Sequence, residues 1–279
     1  MTFDEVLEDF KIYASTRHKK QGYITIYKTL NNHILPYFQG SLINSITTKD
    51  IINWQNNILS KNYSNKFNSI IYYSFNTLFN YCFNCNYVSE NLVSKVGSFP
   101  KRIEFKEHKV YNLYQFIWFR MHLNNFVIKQ YFNFMFFYGT RPGEAMALRF
   151  SDVHGLKVLI QHNIHRKGKR ELDTPKNQSS IRIIKINLLM KLRFWLLKRF
   201  YGMCDNDYFI FGGSKPLAPT TIDRHKKSAC DRANLFVISQ HDFRHSYATR
   251  MINRKVPINQ VSKSMGHSRI STTLDVYTH

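Results

Sequence analysis

Between residues 71 and 85 the apolar side chains Ile71, Phe75, Leu78, Cys82 and Cys85 follow one another at intervals of four, three, four and three. That spacing puts all five on one face of an α-helix, whereas a β-strand would send some of them to the opposite face. Two other segments of the first hundred residues read the same way. Thr2 and Glu5 stand at capping-box spacing ahead of Val6, Phe10 and Tyr13, and Ile51, Trp54 and Ile58 repeat after the candidate caps Thr47 and Thr48. A helical N-terminal domain is expected. The stripe also decides Cys82-Phe83-Asn84-Cys85, a lone C-x-x-C that could otherwise suggest zinc or redox chemistry. Both cysteines lie on the apolar face and no second pair follows at zinc-site spacing, so they are read as core residues and no metal site is expected.

Around residues 96–109 the periodicity lapses into Gly97, Ser98, Pro100 and a mixed charge run, the composition of a domain junction. The expected domains are 1–102 and 103–279, consistent with 279 residues being long for one small domain. Past the junction, helical patterns run over Leu113–Leu123, Phe126–Tyr138 and Arg141–Leu148. Strand-like runs follow at Val158–Ile164 and Ile181–Ile186, joined by a Lys/Arg/Gly-rich segment. The fold class is mainly α with a small antiparallel β-sheet: an N-terminal helical domain followed by a C-terminal mixed α/β domain.

Charge narrows the partner. The 40 Lys and Arg against 18 Asp and Glu leave a formal +22, and a chain with that self-repulsion normally faces a polyanion. The basic residues are spread along the whole chain, not along one amphipathic helix or a polybasic tail, which favours nucleic acid over a membrane surface. The most apolar stretch, Phe126 to Tyr138, is broken by Lys129, Gln130 and Asn133 and falls short of the ~20 apolar residues of a membrane span. Asp4, Glu5, Glu8 and Asp9 occupy the place of a secretory n-region, and four cysteines in so long a chain suggest no disulfide framework. A cytoplasmic, membrane-free protein is expected.

Three short segments carry chemistry. Gly139-Thr140-Arg141-Pro142-Gly143-Glu144 reads as a helix start, with Pro142 in the first turn and Glu144 at its positive end; taken alone, Arg141 there is more often an exposed residue than a phosphate ligand. In His241-Asp242-Phe243-Arg244-His245, His241 and Arg244 are three apart and share a helix face, so both can reach one phosphate. The metalloprotease frame H-E-x-x-H does not fit, because Asp242 stands where Glu is required. At the C-terminus Pro257 starts a helix with Ile258, Val261 and Met265 on its apolar face and Gly266 as its left-handed cap. His267 follows the turn, and Ser271 or Thr272 can cap a last short helix in which Leu274 and Tyr277 share a face.

Together, Gly-Thr-Arg141-Pro-Gly-Glu, His241-Asp-Phe-Arg244-His, Gly266-His267 and Thr-Thr-Leu-Asp-Val-Tyr277-Thr-His resemble, in order, the motifs of the tyrosine recombinase (phage integrase) family. The likeness spans most of Phe105 to His279, and the N-terminal helices resemble the family's core-DNA-binding domain. The resemblance implies that Arg141, His241, Arg244 and His267 surround the scissile phosphate and that Tyr277 is the nucleophile. Lys176, in Thr174-Pro175-Lys176-Asn177, resembles the family's hairpin lysine and general acid, with Lys167 and Lys169 as nearby alternatives. Glu144 would orient its catalytic neighbours. Lys19, Lys20, Lys61 and Lys66 are expected phosphate contacts of the N-terminal domain.

The resemblance also implies cleavage and rejoining through a 3′-phosphotyrosine link, without ATP, metal or other cofactor, by a homotetramer that pairs two double-stranded sites through a Holliday junction. Integration or excision of a mobile element is the expected setting. A DNA-binding protein without strand transfer, or a type IB topoisomerase, would share part of these features; the full residue set and the Gly-His-to-Tyr wording favour recombination. The sequence ends two residues after Tyr277, where family members often continue into a segment that packs on a neighbouring subunit, so either the assembly differs or the sequence is a piece of a longer one. No additional arm-binding domain is expected ahead of the first helix.

Overall fold

A computed structural model describes residues 1–18, 20–102, 109–164, 172–173, 181–266 and 270. The chain divides into two compact units, Met1–Phe105 and Lys106–His279.

The first unit is helical: α1 (Phe3–Arg17), α2 (Lys20–His33), α3 (Leu35–Phe38), α4 (Thr48–Ser60), α5 (Asn65–Asn84) and α6 (Leu92–Val96). The Thr2/Glu5 capping box starts α1, and a second box, Thr47 with Asp50, starts α4. Each satisfies two backbone donors that a helix start leaves without partners. The expected stripes face one core. Ile51, Trp54 and Ile58 meet Ile71, Phe75, Leu78 and Cys82 there, all fully buried. The Trp54 and Phe75 rings lie edge to face with centroids 4.8 Å apart, and the indole N–H donates to the His33 carbonyl at 2.9 Å. Cys85 caps the end of α5 and packs at the edge of this core, and both cysteines are free thiols.

The second unit is built around α8 (Phe126–Tyr138), which follows α7 (Leu113–Met121) and buries nearly its whole circumference. Its polar residues Gln130 and Asn133 are buried too, and the Asn133 amide donates to Gln130 Oε1 at 2.9 Å. Next come α9 (Pro142–Ala147), β1 (Val153–His154), β2 (Lys157–Ile160), β3 (Asn163–Ile164), β4 (Leu172–Asp173) and β5 (Arg182–Lys185). The helices α10 (Leu188–Phe200), α11 (Pro219–Ala233), α12 (Gln240–Asn253) and α13 (Ile258–Met265) complete the described part. No described helix is long and apolar enough to cross a membrane.

The strands form a three-stranded antiparallel sheet in the order β1-β2-β5 and a separate β3-β4 pair. One strand over Val158–Ile164 is therefore not what forms: the run breaks at Gln161-His162. Gln161 turns aside to donate to Asp152 Oδ1 at 2.8 Å, and β3 packs against α9 instead of extending the sheet. In the main sheet Val158 pairs with Ile184, Leu159 with Ile183 and Ile160 with Arg182. Because strand side chains alternate, Arg182 points to the same face as the buried Ile184.

Candidate active site

Two elements of the second unit, α9 and β5, meet at one carboxylate. Arg141 is the N-cap of α9 and Glu144 its third residue, so the Glu144 carboxylate folds back onto the Arg141 backbone N–H at 2.8 Å. Oε1 also accepts from Arg141 Nη1 at 2.7 Å and from Arg182 Nη1 at 3.1 Å, while Oε2 accepts from Arg182 Nη2 at 2.8 Å. Glu144 is only 4% exposed, and burial alone would push its pKa up. The Arg182 fork, reinforced by the charges of Arg182, Arg244 and Arg141, overrides burial and holds it at about 2.

The far ends of the arginines are fixed by a run of consecutive backbone carbonyls at the C-terminus of α13. Arg182 Nε donates to Ser264 O at 2.8 Å, Arg244 Nη2 to Met265 O at 2.6 Å, and Arg141 Nη2 to Gly266 O at 2.8 Å. The last carbonyls of a helix have no partners within it and form the negative end of its dipole, so they suit cations. Gly266 ends α13 in the left-handed conformation expected of it, at φ 70°. Arg244 also donates to Gly139 O at 2.8 Å and has no solvent-exposed surface, whereas the Arg141 side chain remains 33% exposed. Among the described residues, three guanidiniums around one carboxylate give the cluster surplus positive charge.

His241 and Arg244 come from α12, whose start is fixed by a Ser239/Asp242 capping box. Asp242 of the His-Asp-x-x-His sequence thereby serves the helix start, where its carboxylate accepts from Ser239 N at 2.7 Å. The same end of α12 is anchored from within. Buried Gln240 accepts from Tyr131 of α8 at 2.9 Å and donates to Asp223 of α11, itself 3.2 Å from the Lys226 ammonium. His241 is exposed at the start of α12 and lies edge to face with His245, centroids 4.9 Å apart. Crowding around its ring and then the Arg244 charge lower its pKa below the ordinary histidine value, which favours the neutral imidazole.

Arg141, Glu144, His241 and Arg244 thus lie within one another's electrostatic reach. Lys176, His267 and Tyr277 lie outside the described residues, as do Lys19 and the side chain of Lys20. Lys61, at the end of α4, and Lys66, in the first turn of α5, are exposed residues of the first unit. Arg102 donates to Asn62 Oδ1 and Leu59 O beside them, which adds a guanidinium to the α4–α5 turn. Sequence reasoning missed Arg182. Its one visible clue was position: in Arg182-Ile183-Ile184-Lys185 the arginine alternates with an inward-facing isoleucine, an unusual place for an unpartnered charge.

The sequence model of the phage integrase family matches residues 105–279, and that of the phage integrase N-terminal SAM-like domain matches residues 2–59. The chain is 27% identical to the ICEBs1 integrase of Bacillus subtilis (strain 168), over 94% of its own length and 73% of the relative's. It is 28% identical to a tyrosine recombinase of Thermosipho africanus, over 99% and 95%. Its fold is that of the Tn1549 transposon integrase in complex with transposon right end DNA, with a TM-score of 0.79 at 19% identity over 100% of this chain and 95% of that one. A lambda integrase tetramer bound to a Holliday junction gives a TM-score of 0.76 at 14% identity, over 98% and 77%. The chain belongs to the phage integrase family and is a tyrosine recombinase, an enzyme that cuts and rejoins DNA strands.

Proposed function

We propose that the chain acts on specific double-stranded DNA sites, with Tyr277 as nucleophile, in the integration or excision of a mobile element. The observation that carries this reading is the placement of Arg141 and Arg244. Both hang from successive carbonyls, Gly266 and Met265, immediately ahead of His267 and the segment that contains Tyr277. In this reading the Tyr277 phenol oxygen attacks the scissile phosphorus and forms a 3′-phosphotyrosine bond. The departing 5′ oxygen takes a proton from Lys176. Guanidiniums remain protonated and match two phosphate oxygens with a planar fork, so Arg141 and Arg244 stabilise the charge that grows in the pentacoordinate state. Neutral His241 can hydrogen-bond a phosphate oxygen or accept the phenol proton, and His267 adds a second imidazole. A free phenol titrates near pH 10, so attack at neutral pH depends on these surroundings.

The phosphotyrosine link keeps the energy of the broken phosphodiester, and a 5′-hydroxyl reverses the reaction without ATP. No metal or cofactor enters a step. Residues 1–102 serve as the core-DNA-binding domain and 103–279 as the catalytic domain, with Lys19, Lys20, Lys61 and Lys66 on phosphates. A homotetramer exchanges strands in pairs through a Holliday junction, in the cytoplasm. The relatives' names support the mobile-element setting, since one is the integrase of ICEBs1 and the fold is shared with a transposon integrase.

The test is trapping on a nicked suicide substrate that carries the recombination site. Wild type is expected to give a covalent band on a denaturing gel, and Tyr277→Phe none. A band that survives in the variant moves the nucleophile elsewhere. Failure of the wild type on DNA that it binds favours a protein that only binds.

A further inference from the structure

We infer that Arg182 is a positioning residue for the two phosphate-binding arginines: together with Glu144 and the Ser264–Gly266 carbonyls, it sets where Arg141 and Arg244 point and keeps their charge available to the phosphate. The inference rests on the reading of Arg141 and Arg244 given above.

Arg182 is turned into the protein and away from solvent. Its side chain is 8% exposed, and among the described residues its nitrogens donate to Glu144 Oε1, Glu144 Oε2 and Ser264 O. It arrives from β5, where it pairs with Ile160, and so ties the sheet to α9 and α13 at once. The consequence for orientation lies in the carbonyls. Ser264, Met265 and Gly266 follow one another on one helix end, so holding the first helps fix the other two, on which Arg244 and Arg141 hang.

The consequence for charge lies in Glu144. Two of the four hydrogen bonds to its carboxylate come from Arg182 and two from Arg141. Without Arg182 the carboxylate is left to Arg141, and the charge of that pair cancels beside the phosphate. With Arg182 in place the carboxylate is already matched, and Arg141 retains an exposed edge for a second anion. A lysine at 182 would restore the charge but could not reach both carboxylate oxygens and Ser264 O with a planar fork.

Arg182→Met and Arg182→Lys, in the full chain, test this on the same suicide substrate. One version carries an ordinary scissile phosphate and the other a methylphosphonate, which is neutral because a methyl group replaces one charged oxygen. On phosphate, Arg182→Met is expected to cleave roughly 100-fold more slowly than wild type, with DNA affinity changed less than about twofold. Arg182→Lys should fall between the two. On methylphosphonate, where there is less charge to match, the deficit of Arg182→Met should shrink to roughly threefold. Cleavage by both variants at the wild-type rate overturns the inference, as does an equal deficit on the two substrates, which marks a packing role. If Arg182→Met does not fold, as judged by circular dichroism, the comparison rests on Arg182→Lys: a deficit that shrinks on methylphosphonate supports the inference, and one that does not overturns it. A wild type that forms no adduct on bound DNA removes the underlying reading as well, whereas a wild-type adduct with unimpaired variants removes the role of Arg182 alone.

Discussion

Arg141 and Arg182 close on the same oxygen of Glu144 from two directions, one from the start of α9 and one from β5. Among the described residues Glu144 is the carboxylate that pairs with both guanidiniums. Glu144→Gln should therefore cost more than the loss of one hydrogen bond. Removing one partner of a buried ion pair leaves an uncompensated charge, at about 3–5 kcal/mol. Urea denaturation at pH 7 is expected to show a loss of that order, and suicide-substrate cleavage should fall with it. A loss under about 1 kcal/mol would show that water compensates the arginines and that the pairing is not structural.

The same carboxylate predicts a particular acid sensitivity. Its pKa is about 2 in the folded chain against an ordinary 4.5, so between those values the unfolded state binds more protons than the folded one. Stability from Glu144 is then fully present above pH 4.5 and is lost as pH falls toward 2. The difference corresponds to about 3 kcal/mol, of which roughly 1 kcal/mol is gone by pH 3.5. The measurement is the stability gap between wild type and Glu144→Gln at several pH values from 6 to 3.5, since subtraction cancels the other carboxylates. A gap that stays constant, or widens with acid, would contradict the pairing.

Local features were legible where one short segment contains all the physics. The bounds of α8 follow from a mostly apolar run between a capping Asn125 and the left-handed Gly139. The capping boxes of α1 and α4 are likewise contained within four residues. The helical spacing of Tyr23, Ile26, Leu30 and Ile34 is a weaker signal, with Gly22 at its start, yet α2 forms and Ile26, Leu30 and Ile34 are buried. The motif residues Arg141, Glu144, His241 and Arg244 could be gathered by resemblance. The carbonyls that orient them could not, because a backbone oxygen leaves no trace in residue identity. Arg182 falls between these cases: alternation along β5 turns it inward, but only the folded chain shows that Glu144 and Ser264 wait there.

Gly139 joins α8 to the site through a conformation that other residues resist. Its φ is 64°, and a Cβ there would stand 2.3 Å from Tyr247 Cδ1, while its own carbonyl accepts from Arg244. Gly139→Ala is expected to cost about 1–2 kcal/mol for the left-handed backbone and a further 1–3 kcal/mol for the displaced ring. Cleavage should fall more than DNA affinity, because the Gly139 carbonyl moves under Arg244. Adding Tyr247→Leu relieves the contact and not the backbone, so the double variant should regain only part of the loss, as judged by denaturation midpoints. Full recovery would assign the whole effect to the ring, and no recovery would assign it to the backbone.

In the first unit the prediction concerns ions released from DNA. Lys61 and Lys66 flank the α4–α5 turn, exposed and without an ion pair among the described residues, whereas the Lys95 ammonium already sits 2.7 Å from Glu90. Each phosphate contact that is lost removes about 0.9 from the slope of log affinity against log salt. Lys61→Ala and Lys66→Ala should each flatten the slope by about that amount, their combination by about twice as much, and Lys95→Ala by much less. All three side chains are exposed, so thermal midpoints should stay close to that of wild type and the slope reports on contact alone. Equal slopes for Lys61→Ala, Lys66→Ala and wild type, from affinities measured between 50 and 300 mM salt, would remove this turn from the DNA interface.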